Sequence, residues 1–327
     1  MDEFALINRF FTSLGRHSHG NQADTVIQGI GDDCAVLSVP SGQSLVVSID
    51  TLVEGTHFVA GTDPAQLAWR LLGASVSDLA AMGAEPAWVT LALTLPAADE
   101  SWLKPFSAAL GEGLAYYGIN LVGGDTTRGP LSLSAQVHGF VPHGAALLRS
   151  GARAGDLVCV SGTLGDSRGG LECILNADIA ANDYLLDRFY RPTARVSLGQ
   201  HMRRYATAAA DISDGLLADL QHILTASGVG ATVNPDLLPI STQLAAHFDN
   251  ETAKRWALSG GEDFELCLTV APECWQVLCE KAPSLAAQLT VIGVVDTEPG
   301  LRLQTAEGTV SAAAAGFNHF ASETRNS

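Results

Sequence analysis

Apolar and polar positions alternate along this chain in short runs broken by turn residues, and the runs change period in a regular way. In the first half SLVVSID (44–50), AWVTLALTL (87–95), INLVGGD (119–125) and LSLSAQVHGFV (131–141) read as strands. Two longer stretches between them read as helices. The first opens at Thr62-Asp63-Pro64, where Asp63 suits the N-cap and Pro64 the first helical position, and the second is SWLKPFSAALGEGLAYYG (101–118). This is an α/β pattern. The turn-rich connection HGAALLRSGARAGD precedes a new strand at DLVCVSG and places a boundary near residue 150, giving domains of 1–150 and 151–327. The second half repeats the alternation: strand 156–161, helices around 168–176 and 193–206, helix 214–227, strands near 230–234, 264–270 and 290–295, and a helix starting after Pro272.

Once the first helix is phased from its cap, Leu71, Ala74, Asp78 and Met82 fall on one face. Asp78 lies within ~20° of Leu71 at 3.6 residues per turn, on an apolar stripe where an unpaired carboxylate is very costly. Five segments share a related design, with an apolar run delivering an aspartate to a glycine-rich or small-residue turn: GIGDDCAV, VVSIDTLVEGTHF, ASVSDLAAMG, LVGGDTT and ADISDGL. Each aspartate taken alone can be a cap or turn residue that binds its own backbone amides, and Asp214 before GLLADLQHIL fits that reading. If several converge, each pair about 4 Å apart repels by ~4 kcal/mol at an effective dielectric near 20. Only Arg128 and Arg149 stand close in sequence to these turns. Hard oxygen ligands of this kind suit magnesium, which keeps waters and bridges phosphates, so magnesium with a nucleotide is the natural inference.

Composition narrows the classes. With 327 residues, of which 47% are hydrophobic, the chain can bury a large core in two domains, and a formal charge of −17 argues against a nucleic-acid partner. No stretch is apolar enough to span a bilayer, the N-terminus lacks a basic signal-peptide region, and the cytoplasm is the expected compartment. Cysteines 34, 159, 173, 267, 274 and 279 form no CxxC pair and read as reduced core thiols. The nine histidines show no zinc-ligand spacing, and His17-Ser18-His19 lies in a polar stretch. There is no GxxxxGK[ST] P-loop. The run Ser161–Gly170, SGTLGDSRGG, is a weak phosphate-cradle signal for which an ordinary strand-to-helix turn is an equal reading.

Taken together, GIGDDCAV, DTLVEGTHF, SDLAAMGA, GGDTTRGP, LLRSGARAGD, DISDGL and SGGEDFEL strongly resemble the thiamine-monophosphate kinase family, within the superfamily that includes aminoimidazole ribonucleotide synthetase. The match runs from about residue 3 to GFNHF near residue 320. The resemblance implies a two-domain α/β (α+β) fold of the aminoimidazole ribonucleotide synthetase type. Its N-terminal domain binds ATP and metal and dimerises through its sheet, its C-terminal domain is an α/β sandwich, and ATP lies between acidic loops. It further implies several magnesium ions held by Asp33, Asp50, Asp78, Asp125, Asp211 and Asp214, with Ser48 and Ile49 at the strand end. Tyr117, Gly124, Asp125, Arg149 and Ser213 match nucleotide-site positions, and His57, Glu262 and Phe317 match positions around the thiamine acceptor. Bland roles remain open beside these: a satisfied histidine at His57, a core aromatic at Tyr117, simple packing at Phe317, a solvated cation at Arg149 and a strand-entry charge at Glu262.

Two positions depart from the family pattern. Ile49 stands where many relatives carry Thr, leaving only its carbonyl for metal, and Phe317 replaces a frequent Tyr or Trp, keeping an aromatic face for a cationic thiazolium but losing a polar handle. The implied reaction is in-line transfer of the γ-phosphoryl group of ATP to thiamine monophosphate, giving thiamine diphosphate. Asp50, Asp125 and Arg149 would be its catalytic residues, and there would be no phospho-enzyme. An acceptor phosphate is already ionised near neutral pH, so the need is charge neutralisation and not a strong base. The alternatives are an aminoimidazole ribonucleotide synthetase-type enzyme using the same nucleotide and metal, and a non-catalytic nucleotide- or metal-binding protein. A selenophosphate synthetase is disfavoured, because no Cys precedes Cys34.

Overall fold

The computed structural model describes residues 3–15, 25–306 and 308–312. Two compact units divide the chain: one comprises the residues up to Leu148 together with Tyr190–Ala206, the other Arg149–Phe189 together with the residues from Thr207 onward. The division at Leu148 is joined by an excursion, since the segment Tyr190–Ala206 of the second half packs with the first unit.

The first unit begins with helix α1 (Glu3–Phe10) and the short hairpin strands β1 (Val26–Gln28) and β2 (Val36–Leu37). Its sheet comprises β3 (Gln43–Val53), β4 (Glu85–Leu95), β5 (Asn120–Arg128) and β6 (Ser132–Pro142) in the order β3-β6-β4-β5. Only β4 and β5 pair in parallel, and α3 (Glu100–Tyr117) makes the crossover between them. Helix α2 (Pro64–Ala81) packs with α3 and against β3 and β6. Its start is as the sequence implies: the Asp63 side chain accepts from the Ala65 N–H at 2.9 Å and Pro64 opens the helix. The hairpin covers part of the other sheet face, where Val26, Ala35 and Leu37 pack on Ala87, Trp88, Val122 and Phe140.

The second unit holds a seven-stranded sheet ordered β13-β12-β9-β11-β7-β10-β8. Its strands are β7 (Leu157–Ser161), β8 (Ala206–Asp211), β9 (Gly230–Val233), β10 (Leu266–Val270), β11 (Leu289–Asp296), β12 (Gly300–Thr305) and β13 (Gly308–Ser311). Helices α4 (Asp166–Leu175), α5 (Asp183–Tyr190), α7 (Leu216–Ser227), α8 (Thr242–His247), α9 (Asn250–Ser259), α10 (Pro272–Lys281) and α11 (Pro283–Ala286) accompany it, and α6 (Val196–Met202) belongs to the excursion into the first unit. Leu216, Leu220, Ile223 and Leu224 of α7 are fully buried on the sheet.

Several expectations change. The helix expected at 193–206 shrinks to α6, and the alanine-rich run 206–211 that follows it, for which no element is expected, is strand β8, buried over its last four residues in spite of alanine's helix propensity. Helices α5, α8 and α9 lie where no element is expected. Of the six cysteines all are free, but only Cys159 and Cys267 are buried, whereas Cys34 and Cys279 are exposed. No helix of the described residues is long and apolar enough to cross a membrane. Phe317, His17, His19 and the tail SETRNS lie outside the described residues.

Candidate functional site

In the first unit the alternation of β3 decides which side chains meet α2. Ser48 and Asp50 point toward the helix while Val47 and Ile49 point away, Ile49 being 61% exposed. Asp78, one of the few residues of α2 that is not fully buried, meets them: the Ser48 hydroxyl donates to its Oδ2. Burial pushes the Asp50 carboxyl up to about 6, the negative charge of Asp78 adds to that, and the Ser75 hydroxyl, which makes no fully formed hydrogen bond, acts weakly against it. Two carboxylates that act on each other in this way resist simultaneous ionisation, and a hard cation would relieve both.

The other acidic positions of the unit are not gathered there. Asp33 is exposed in the β1–β2 loop, where its N–H donates to Asp32 Oδ1 at 2.9 Å. Asp125 is exposed on β5 and registers with Ala92, which registers with Ser134 and through it with Thr51, whereas Asp50 registers through Ala135 and Leu91 with Gly124. Asp50 and Asp125 therefore lie on opposite faces and on opposite edge strands of the sheet, three strand spacings or roughly 14 Å apart. Gly124 is required where it stands. Its φ is 153°, and a Cβ there would lie 1.8 Å from the Leu91 carbonyl oxygen.

His57, half-buried, accepts the Val53 N–H on Nδ1 at 3.0 Å, which leaves Nε2 as the protonated nitrogen of the neutral ring. The Tyr117 hydroxyl accepts the Ala194 N–H at 3.1 Å, and burial pushes the phenol up to about 12. That bond helps anchor the excursion, together with Arg191 over the Trp69 ring at 4.5 Å and Arg203 Nη1 donating to the Gly83 carbonyl at 2.9 Å.

In the second unit Asp211 is buried at the end of β8, and Ser213 and Asp214 follow in the turn before α7. The N–H groups of Ser213, Asp214 and Gly215 all donate to Asp219 Oδ2, at 2.9, 3.0 and 3.2 Å. Burial pushes the Asp219 carboxyl up to about 6 against those donors. The Ser213 carbonyl accepts the Glu262 N–H at 2.7 Å, bringing Glu262 to the same turn. Arg149 is exposed and makes no ion pair among the described residues, and its carbonyl accepts from the Ser227 hydroxyl at 3.2 Å. The SGTLGDSRGG run resolves as a strand-to-helix turn whose helix end is already occupied: Asp263 accepts from the N–H groups of Gly165 and Ser167. A chain carboxylate sits where a phosphate would. Among the described residues no group of three or more His, Cys, Asp or Glu side chains is gathered to hold a metal ion.

Family models of the AIR synthase related protein match this chain over both halves, the N-terminal domain at residues 31–141 and the C-terminal domain at residues 153–306. Thiamine-monophosphate kinase of Escherichia coli (strain K12) is 53% identical over 272 residues, 82% of each chain. The chain belongs to the thiamine-monophosphate kinase family. Thiamine-monophosphate kinase from Stenotrophomonas maltophilia K279a superposes at a TM-score of 0.83, with 44% identity over 93% of this chain and 96% of that one. AaThiL complexed with AMPPCP and TMP superposes at 0.78, with 33% identity over 97% of each.

Within this member of the thiamine-monophosphate kinase family, the structure also shows supporting residues that sequence reasoning missed. Asp219 organises the Ser213–Gly215 turn, and its only sequence signal is an acid one turn into a helix that follows a glycine. Asp263 and its partner Arg188 were equally silent, the first inside SGGEDFEL but overshadowed by Glu262, the second in an unexpected helix.

Proposed function

We propose that this chain catalyses transfer of the γ-phosphoryl group of ATP to thiamine monophosphate, releasing ADP and thiamine diphosphate. The observation that carries the reading is the Asp50–Asp78 pair beside Ser48, a frustrated acidic site in a chain whose relatives are thiamine-monophosphate kinases, one of them complexed with AMPPCP and TMP. AMPPCP is an ATP analogue whose terminal bridge cannot be cleaved, which suits a site that holds donor and acceptor together.

The donor set fits magnesium: two carboxylates and a serine hydroxyl, with the Ile49 carbonyl proposed as a further donor, leave positions for water and phosphate oxygens. When bound, the ion neutralises phosphate oxygens and lowers the repulsion between two anionic substrates. Asp50 and Asp78 would hold one of several such ions, and Asp33, Asp125, Asp211 and Asp214 are the proposed ligands of the others. Gly124 lets the β5 backbone present its amide to phosphate, Arg149 offers a planar fork to a phosphate, and Tyr117 and Ser213 are proposed to line the nucleotide site. His57, Glu262 and Phe317 are proposed for the acceptor. No group in this set needs to act as a strong base, because the acceptor oxygen is already ionised.

Asp50 and Asp125 are too far apart across one sheet to share an ion. The edge strand β3 carries Leu45, Val47 and Ile49 exposed on the face away from α2, an apolar stripe with an unpaired edge. A second copy of this chain is the proposed occupant of that stripe, and the partner's Asp125 is then a source of the missing ligand. Sedimentation as a monomer at full activity would remove this element.

The test is incubation with ATP, magnesium and thiamine monophosphate, followed by chromatography. Equimolar ADP and thiamine diphosphate are expected. Turnover only with an aminoimidazole ribonucleotide precursor, or binding without turnover, would favour the alternatives.

A further inference from the structure

Three of the four residues Gly261–Phe264 have left-handed backbones, with φ of 66° at Gly261, 58° at Glu262 and 50° at Phe264. Glycine adopts this region freely, but glutamate and a bulky phenylalanine enter it only when their surroundings hold them there. One side of the segment is held by the β8 end, where the Glu262 N–H donates to the Ser213 carbonyl at 2.7 Å and the Phe264 N–H to the Ile212 carbonyl at 2.9 Å.

The other side is held by the residue between them. Asp263 turns its side chain inward and is 2% exposed. Its Oδ2 accepts the Gly165 N–H at 2.7 Å, its Oδ1 accepts the Ser167 N–H at 3.3 Å, and its carbonyl accepts from Arg188 Nη2 at 3.4 Å. Gly165 is the N-cap of α4 and has no side chain with which to cap it. The helix end and the buried carboxylate thus satisfy each other, with the favourable end of the helix dipole adding to the bond. Arg188 ties the arrangement further inward, donating to Glu265 Oε1 at 3.0 Å and standing 3.7 Å from Asp166 Oδ2. Gly162 leaves room for it, since a Cβ there would lie 2.2 Å from Glu265 Oε1.

We propose that Asp263 is a positioning residue for acceptor binding: by capping α4 it locks the Glu262 backbone in the left-handed region and so fixes how the Glu262 carboxylate is presented. The proposal rests on the reading that Glu262 contacts the acceptor. Asp263 itself touches no substrate. Its effect passes through one neighbour, which separates it from a residue that merely stabilises the unit.

The experiment uses the full chain with Asp263→Ala, Asp263→Asn, Glu262→Gln and the double variant Glu262→Gln/Asp263→Asn. It reads KM for thiamine monophosphate, KM for ATP, kcat, and hydrogen exchange at the Glu262 and Phe264 amides. Asp263→Ala is expected to raise the acceptor KM about tenfold or more while the ATP KM stays within about twofold, since small misplacements of a positioning group are costly. Asp263→Asn keeps an oxygen for the Gly165 N–H and recovers part of that loss. Adding it to Glu262→Gln produces no further rise, because coupled residues are not additive. Equal rises in both KM values, no rescue by Asn, or multiplying effects in the double variant would overturn the proposal. If Asp263→Ala does not fold, Asp263→Asn carries the same readouts. If Glu262→Gln leaves the acceptor KM unchanged, the acceptor role of Glu262 fails, and exchange then decides on the lock itself. Faster exchange at both amides in Asp263→Asn supports it, and unchanged exchange sinks it.

Discussion

At the scale of single residues, Asp50 shows how a site can be built against stability. Its carboxyl is raised from an ordinary value of 3.8 to about 6, by burial first and by Asp78 second. A raised folded-state value means that the proton is held more tightly in the fold. The stabilisation this gives is complete below pH ~4 and is lost as pH rises through about 6. Asn is neutral throughout. In EDTA, Asp50→Asn is therefore expected to exceed the wild-type protein in unfolding free energy at pH 8, by on the order of 1–3 kcal/mol, with the difference closing as pH falls toward 4. Urea denaturation across that range checks it, and a wild-type protein that is the more stable at pH 8 would show that Asp50 is not strained by its neighbours. Asp78 was legible in the sequence because a phased helix put a charge on an apolar stripe. Asp219 and Asp263 were not, because their partners are backbone amides that come within reach only when the chain folds. In the sequence alone Ile49 stands for a hydroxyl missing beside the metal aspartate. Its side chain faces away from Asp50 and Asp78, so the substitution alters the outer sheet surface instead.

At the scale of elements, the strands and helices with strong periodicity stand where the sequence put them. Helix α2 opens at its Asp63 cap, and β3, β4, β5 and β6 fall on the four apolar runs. Boundaries failed where local preference and tertiary burial disagree. ATAAAD lies between two expected helices with no strand signal of its own, yet it becomes β8 because it joins β10 at the edge of a sheet and buries its last four residues. The strand expected from residue 264 starts at Leu266, since Phe264 is held left-handed and cannot extend. The glycine-rich run 161–170 carried a phosphate signal that the fold cancels: the N-terminus of α4 faces Asp263, whose oxygens already take the Gly165 and Ser167 N–H groups that a phosphate would need. Motif chemistry of this kind is readable in sequence, but whether the motif's open end meets solvent or a side chain is decided by a distant segment.

At the scale of the whole molecule, a formal charge of −17 matters for what the chain must bind. Both proposed substrates are anions, so the field of the protein works against their approach and the local sites must overcome it. Cations bound at the aspartates are the means available, because the acidic positions outnumber the nearby arginines. The sequence made this charge problem visible and named the aspartates. It could not show that β3 and β5 are opposite edges of one sheet, which separates Asp50 from Asp125 within a copy and makes pairing of copies part of the account. If Asp50 works by holding magnesium for phosphoryl transfer, turnover at saturating ATP and thiamine monophosphate must follow free magnesium as it is raised. The wild-type protein is expected to rise to a plateau, while a folded Asp50→Asn variant stays without detectable turnover at every magnesium concentration. An Asp50→Asn variant that reaches the wild-type plateau would show that Asp50 does not hold the ion needed for transfer.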